Sequence, residues 1–93
     1  MSARGPTLPA PVIVHQFWKN RKHDAVVVSL STYEGRNLVD VRQHFMTKEG
    51  KLAPTQKGLA MVVLRLPDLA KAITKALAKA QELGLLDDDG AAE

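Results

Sequence analysis

Residues 26 to 45 read VVVSLSTYEGRNLVDVRQHF and decide the fold. On both sides of Glu34-Gly35, apolar and polar residues alternate with the period of two that is typical of a half-buried β-strand. Glu34-Gly35 predicts a tight reversal, because glycine readily adopts a positive φ. The stretch therefore predicts an antiparallel hairpin with strands over residues 26–33 and 36–45.

The two faces of this hairpin differ in polarity. The predicted core face carries a set of aliphatic residues, Val26, Val28, Leu30, Val39 and Val41. The opposite face becomes steadily more polar along the chain and carries Tyr33, Asp40 and Arg42. Phe45 has the parity of the core residues, so it needs a bulge or the end of its strand to reach the polar face.

Further strands are predicted on both sides of the hairpin. Val12–Lys19 is rich in β-branched and aromatic residues, although its periodicity does not assign its faces. Downstream, Leu52–Pro54 is predicted as a short extended piece, and residues 57–63 as a separate strand. Pro54 excludes a central position in a sheet, and Gly58 marks a bulge or a close backbone approach.

A C-terminal helix is predicted from about Pro67 to Leu83. Proline suits the first helical position, and Gly84 is a good terminator. One side of this helix carries an apolar stripe, Leu69, Ile73, Ala76, Leu77 and Ala80. This stripe fits either a dimer interface or the face that covers the protein's own sheet.

The sequence predicts one small domain over residues 12–86. A disordered, proline-rich arm is expected over residues 1–11 and an acidic, disordered tail over residues 87–93. A monomer of 93 residues buries a limited fraction of its surface, so pairing of two copies would add stability.

The distribution of charge favours an anionic partner. The net charge is +3, but through Leu86 there are 13 Lys and Arg against 6 Asp and Glu, which is 13 − 6 = +7. Surface charge that serves only to keep the protein soluble explains this excess equally well.

An aromatic pair, Phe17 and Trp18, precedes a basic run. The run supplies three candidate phosphate contacts, Lys19, Arg21 and Lys22. A ring beside such a run predicts a base-stacking site, with Trp18 as the candidate. The alternative is that both rings pack against the edge of the sheet.

Several classes of function have no support in the sequence. There is no cysteine, which excludes disulfides and thiolate metal sites and favours an intracellular protein. No nucleotide-binding, nucleophile or metal-binding motif occurs, and the histidines are scattered. We therefore expect no enzyme, no catalytic residue, no metal and no cofactor. No apolar run approaches the roughly 20 residues of a membrane helix, and no signal-peptide core is seen.

Four segments in this order and spacing resemble the positive-cofactor-four family of transcriptional coactivators that bind single-stranded DNA. They are VSLSTYEGR at 28–36, LVDVR at 38–42, FM at 45–46 and PTQKGL at 54–59. The resemblance covers about Phe17 to Leu83. It implies an α+β fold of four antiparallel strands in a curved sheet and one C-terminal helix. It also implies a homodimer, paired largely through its helices, in which two sheets form a saddle for single strands.

The resemblance also implies site residues. The family's nucleic-acid-contacting positions are matched here by Tyr33, Phe45, Lys57, Arg42 and Arg36. The first two stand at the family's stacking aromatics, and Phe45 replaces a tryptophan. Glu34 and Ser31 stand where the family has basic residues, so binding would be weaker or would depend more on the run that follows Trp18.

The sequence thus predicts a dimeric, largely sequence-independent single-stranded-DNA-binding protein that acts in transcription, or in replication or repair. Alternatives are RNA binding, and an adaptor that contacts polymerase through its basic face. The expected partners are single-stranded DNA and a second copy of the chain, with RNA, melted duplex or the transcription machinery as further partners; no membrane is expected. The short form suggests a bacterial or phage protein in the cytoplasm or nucleoid; a eukaryotic one would be nuclear.

Overall fold

A computed structural model describes residues 6–87 of the chain. It divides into two compact units, one up to Val63 and the other from Leu64 onward. The first unit holds four strands: β1 (Val12–Trp18), β2 (Ala25–Tyr33), β3 (Arg36–Met46) and β4 (Leu52–Val62). A short 3₁₀ turn, Val63–Arg65, lies at the division, and helix α1 (Leu66–Glu82) forms the second unit together with a 3₁₀ turn, Leu85–Asp87. The predicted fold, four antiparallel strands followed by one helix, is confirmed.

The strands form one open sheet in the order β1-β2-β3-β4, and every neighbouring pair is antiparallel. The hairpin of β2 and β3 is regular from the pair Ala25 and His44 to the pair Tyr33 and Arg36. Its turn has φ of 52° at Glu34 and 79° at Gly35. Positive φ at both central residues is the type I′ geometry, which matches the twist of the strands.

Strand β4 is one strand and not the two pieces that the sequence predicts. Its register with β3 shifts between the pairs Arg42–Gly58 and His44–Pro54, so residues 55–57 form a bulge. We call this segment the β4 bulge. Pro54 is accommodated because β4 is an edge strand, where a missing N–H donor is tolerated.

Gly58 marks a close backbone approach, as the sequence predicts. A β-carbon added there would lie 2.8 Å from the Val41 carbonyl oxygen and 2.9 Å from the α-carbon of Arg42. Backbone atoms cannot yield as a flexible side chain can, so only glycine allows the two strands to pair at this position.

Replacement of Gly58 by alanine should therefore separate β3 from β4. We expect a loss of about 2 kcal/mol in the free energy of unfolding, as for other overpacked sites. In a domain of this size that corresponds to a fall of about 10 °C in Tm, which thermal unfolding followed by circular dichroism will measure. Ala60→Thr is the matched control, because Ala60 is exposed two residues further along the strand. An unchanged Tm in Gly58→Ala would contradict this account.

The register defines two faces of the sheet. Directly opposed residues of an antiparallel pair share a face, and neighbours along a strand alternate. The Tyr33 face carries Trp18, Ala25, Val27, Tyr33, Arg36, Asp40, Arg42 and His44. The Val39 face carries Phe17, Val26, Val28, Leu30, Val39, Val41, Phe45 and Leu59.

Both faces contribute to the core of the sheet. Val39 is buried, as predicted, with 1% of its surface exposed. Ala25 and Val27, on the face expected to be the more polar, are also buried. Val27 lies between Gln16 and Arg42 on the neighbouring strands, and the position between these two long side chains accounts for its burial.

Strand β1 changes parity along its length. Its register with β2 shifts between Ile13 and His15, so Val14 is an extra residue. As a result Ile13 lies on the same face as Gln16 and Trp18, whereas simple alternation would separate them. This bulge explains why the periodicity of the segment assigns no face.

The described part of the proline-rich arm is attached to the sheet. The Leu8 amide donates a 2.8 Å hydrogen bond to the Thr32 hydroxyl, and the Asn37 side-chain amide donates one of 2.8 Å to the Pro6 carbonyl. The Thr32 hydroxyl in turn donates to Asn37 Oδ1 at 2.6 Å. These bonds connect residues 6–8 to the β2–β3 hairpin; residues 1–5 lie outside the described part.

Helix α1 begins and ends within one residue of its predicted bounds. Proline lies in its first turn together with Asp68, which forms a 3.2 Å ion pair with Arg65. The chain leaves the helix through Gly84, whose φ is 75°. None of the residues of α1 is buried, and Ile73 and Leu77 are 60% and 51% exposed.

Of the predicted acidic tail, only Asp87 lies within the described residues. Among those residues, no helix is long and apolar enough to cross a membrane.

Candidate nucleic-acid interface

Tyr33 and Arg36 lie at the end of the β2–β3 hairpin. They are directly opposed across the turn, and the Tyr33 side chain is 64% exposed. Arg36 is also exposed. An exposed ring next to a cation can stack on a base while the cation approaches the adjoining phosphate. The sheet therefore holds two of the predicted site residues, Tyr33 and Arg36, side by side.

Arg42 lies on the same face but is already paired. Its guanidinium donates hydrogen bonds of 3.0 and 2.8 Å to the two carboxylate oxygens of Asp40, and both side chains are 24% exposed. The hydrogen bond and the charge of Asp40 raise the pKa of Arg42, so it stays protonated. Because its charge is neutralised, Arg42 has less to offer a phosphate than an unpaired arginine has.

Besides its pairing with Asp40, Arg42 has a structural function. Its remaining terminal nitrogen, Nη1, donates a 3.0 Å hydrogen bond to the Thr55 carbonyl in the β4 bulge. Asp40 thus orients Arg42, and Arg42 holds the bulge. Sequence reasoning missed this role, although an acidic and a basic residue at i and i+2 on one strand face was a visible signal.

Thr55 organises the bulge from within. Its hydroxyl donates to the Gln43 carbonyl at 2.8 Å and accepts a 3.1 Å hydrogen bond from the Lys57 amide. The bulge is therefore fixed against β3 by both the side chain and the carbonyl of one residue. It holds the backbone of Lys57, whose side chain is exposed beside the strand contact at Gly58. Thr55 was not among the predicted site residues.

Phe45 is not brought to the Tyr33 face. Strand β3 stays regular to its end, where Phe45 pairs with Ala53 and Met46 with Leu52. The extra residues are in β4, so nothing changes the parity of Phe45. It remains with Val39 and Val41, and is 43% exposed. Phe45 nevertheless lies at the end of β3, one residue beyond the last pair with β2 at His44.

Trp18 lies on the Tyr33 face. It pairs with Ala25 at the end of β1, and its side chain is 52% exposed. The indole makes a T-shaped contact with His23, with ring centres 5.3 Å apart. Phe17, equally exposed at 52%, lies on the opposite face. The alternation of β1 therefore separates the aromatic pair seen in the sequence.

The loop that follows Trp18 is internally hydrogen-bonded. Asn20 Oδ1 accepts from the backbone amides of Lys22 and Asp24, and its side-chain amide donates to the Asp24 carboxylate at 3.1 Å. The Lys19 amide donates to the Asp24 carbonyl at 2.7 Å. These bonds hold a loop whose basic side chains are exposed, Lys19, Arg21 and Lys22.

Within the described residues, no group of His, Asp and Glu has an arrangement that could hold a metal ion.

Comparison with known proteins identifies relatives of the chain. Residues 18–72 match the model of the family Transcriptional Coactivator p15 (PC4). The crystal structure of a PC4 homolog from Burkholderia pseudomallei superimposes with a TM-score of 0.65 and 22% sequence identity. The match covers 72% of this chain and 97% of that one. At this identity the likeness establishes the fold alone. No curated protein sequence matches the chain.

Proposed function

The chain belongs to the transcriptional coactivator p15 (PC4) family, and we propose that it is a homodimer that binds single-stranded DNA with little sequence preference and assists transcription. The observation that carries this proposal is the pair of Tyr33 and Arg36. A ring that is 64% exposed lies directly opposite an exposed arginine, on a face that also carries Trp18.

The mechanism follows from what a single strand exposes. Duplex DNA hides the faces of its bases, whereas a single strand presents them together with its phosphates. Stacking on an aromatic ring contributes about 1–3 kcal/mol per base and depends little on base identity. Exposed cations neutralise phosphates and release counterions. Neither interaction reads base edges, so the proposed binding is insensitive to sequence.

The exposed cations that we assign to phosphate contacts lie in three places around the sheet. Arg21 and Lys22 belong to the β1–β2 loop, Arg36 to the hairpin end, and Lys57 to the β4 bulge. Lys19 adds a further basic group next to Trp18. Arg42 acts in this proposal mainly as the residue that holds the bulge, because Asp40 already pairs with it.

Fluorescence anisotropy tests the proposed function. A labelled oligo-dT should bind at low salt, with oligo-dA competing equally and a duplex of the same length competing at least tenfold less well. Stronger competition by oligo-U than by oligo-dT would instead favour RNA as the ligand. An absence of binding to any oligonucleotide, by a correctly folded sample, would overturn the proposal.

The apolar stripe of α1 supports the homodimer. Ile73 and Leu77 are more than half exposed in the single chain, and aliphatic side chains at i and i+4 lie on one side of a helix. Burial of one such side chain against a second copy contributes about 1.5–3 kcal/mol. Because the interface contains two copies of the helix, each of these residues would be buried once in each copy.

Leu77→Asp should therefore convert the dimer into a monomer. Light scattering coupled to size exclusion should give a mass near 20 kDa for the wild type, twice the 10.1 kDa of the chain, and half of that for the variant. Lys75→Glu is the control, because Lys75 lies on the other side of the helix and should leave the dimer intact. A dimer that survives Leu77→Asp would refute the helix interface.

A further inference from the structure

The β4 bulge places several residues of one strand opposite a single residue of its neighbour. Between the pairs Arg42–Gly58 and His44–Pro54, Gln43 of β3 faces the whole of residues 55–57. Strand β4 also lies at the edge of the sheet, next to β3. The regular pairing of the sheet therefore does not fix the bulge, and its conformation depends on other bonds.

The hydroxyl of Thr55 supplies two of these bonds. It donates to the Gln43 carbonyl at 2.8 Å, so the opposing residue of β3 has a partner in the bulge. It also accepts a 3.1 Å hydrogen bond from the Lys57 amide, two residues further along the chain. Threonine side chains hold turns by bonds of this second kind. One hydroxyl thus connects β3 to the backbone of Lys57.

A further bond reaches the bulge from Arg42. Its Nη1 donates to the Thr55 carbonyl at 3.0 Å, while Asp40 fixes the guanidinium by hydrogen bonds of 3.0 and 2.8 Å. Thr55 is partly buried, whereas Lys57 is exposed. The side chains of β3 therefore hold Thr55, and Thr55 holds the exposed lysine that follows it.

The backbone of Lys57 is restricted on both sides. Thr55 bonds to its amide, and Gly58, the next residue, lies so close to the Val41 carbonyl that a β-carbon would come within 2.8 Å of it. A cationic side chain on a fixed backbone loses less entropy when it binds than one on a mobile loop does. The bulge therefore presents the Lys57 side chain from a preorganised position.

We propose that Thr55 is a positioning residue for phosphate binding, and that it acts by holding Lys57 through the bond from the Lys57 amide to its hydroxyl. This inference rests on the proposed function and adds an uncharged residue to the site. Neither the charge pattern nor the family resemblance indicates Thr55, because its role arises from the hydrogen bonds of the bulge.

Thr55→Val tests this role, because valine has nearly the shape of threonine but lacks the hydroxyl. In anisotropy titrations with labelled oligo-dT at about 50 mM salt, we expect Thr55→Val to bind about threefold more weakly than the wild type, and Lys57→Ala about fivefold. Thr55→Ser keeps the hydroxyl and should stay within about 1.5-fold of the wild type.

A double-mutant cycle shows whether Thr55 acts through Lys57. If it does, Thr55→Val combined with Lys57→Ala should lose about fivefold, like Lys57→Ala alone, whereas independent effects would multiply to about 15-fold. Arg36→Ala is the reference partner, because Arg36 lies seven residues from Gln43 along β3, which is about 23 Å. The effects of Thr55→Val and Arg36→Ala should multiply in full.

Thr47→Val is the matched control for the loss of a threonine hydroxyl. The Thr47 hydroxyl accepts a 3.2 Å hydrogen bond from the Lys51 amide in the turn between β3 and β4, so this variant loses the same kind of bond. That turn lies outside the residues assigned to phosphate contacts, so the affinity should not change. Circular dichroism verifies that each variant is folded, and Thr55→Ala replaces Thr55→Val if the valine variant is not.

Wild-type affinity in Thr55→Val would overturn the inference. A loss of about 15-fold in the double variant, an equal loss in Thr47→Val, or no loss in Lys57→Ala would overturn it as well. In each of these cases, binding by the wild type leaves the proposed function intact. If the wild type binds no oligonucleotide, both the inference and the proposed function fail.

Discussion

Tyr33→Ala is expected to weaken binding of single-stranded DNA about tenfold, since loss of one stacked base removes about 1–3 kcal/mol. The ring is 64% exposed, so its removal takes little from the core of the sheet. Binding of a duplex should change less, because its bases are not available for stacking. Anisotropy titrations with matched single-stranded and duplex oligonucleotides measure both effects.

Tyr33→Phe is the control for this prediction. It keeps the ring and removes only the hydroxyl, so its affinity should stay within about threefold of the wild type. A Tyr33→Ala variant that binds single strands as well as the wild type would show that this ring is not a stacking platform.

A rise in salt from 50 to 200 mM should weaken binding even more than the loss of one aromatic ring does. Four exposed cations, Arg21, Lys22, Arg36 and Lys57, give a slope of about −2.8 in a plot of log K against log salt, at about −0.7 per phosphate neutralised on a single strand. Affinity should thus fall about 50-fold between 50 and 200 mM salt. The same titration repeated over a salt series measures the slope.

Two variants divide this slope among the cations. Lys57→Ala should reduce its magnitude by about 0.7, as one phosphate contact is lost. Lys71→Ala, at an exposed lysine of α1, should leave the slope unchanged. A slope near zero would contradict electrostatic binding, and an equal effect of both lysines would contradict the assignment of the contacts to the sheet.

The hairpin was predictable because all of its determinants are local. Alternation over residues 26–45 gives both strands, and Glu34-Gly35 supplies the positive φ values that a type I′ turn requires. Gly58 was also readable, as a glycine within an apolar strand pattern indicates close backbone contact. The helix was predictable from its proline and from the glycine beyond its end.

The features that escaped prediction depend on register. Pro54 and Gly58 look like interruptions between two segments, yet the edge position and the hydrogen bonds of Thr55 join them into one bulged strand. Burial of Val27 depends on its neighbours on two other strands. The face of Trp18 depends on a bulge in β1 that no alternation reveals.

The family resemblance had a similar limit at the site. It aligns Phe45 with a stacking aromatic by sequence position, but position alone does not give the face of a strand. The register of β3 keeps Phe45 in the parity of Val39, at the strand end where it is 43% exposed, and its assignment to the site stays a prediction. Trp18, which matched no family position, lies on the face of Tyr33.

Photo-crosslinking tests the central claim, that single strands bind on the Tyr33 face, most directly. A 12-mer substituted with 5-iodouracil, irradiated in complex with the wild-type protein, forms bonds to the aromatic rings on which its bases stack, and mass spectrometry locates each adduct. We predict adducts at Tyr33 and Trp18. Adducts confined to Phe17, on the Val39 face, would contradict the account.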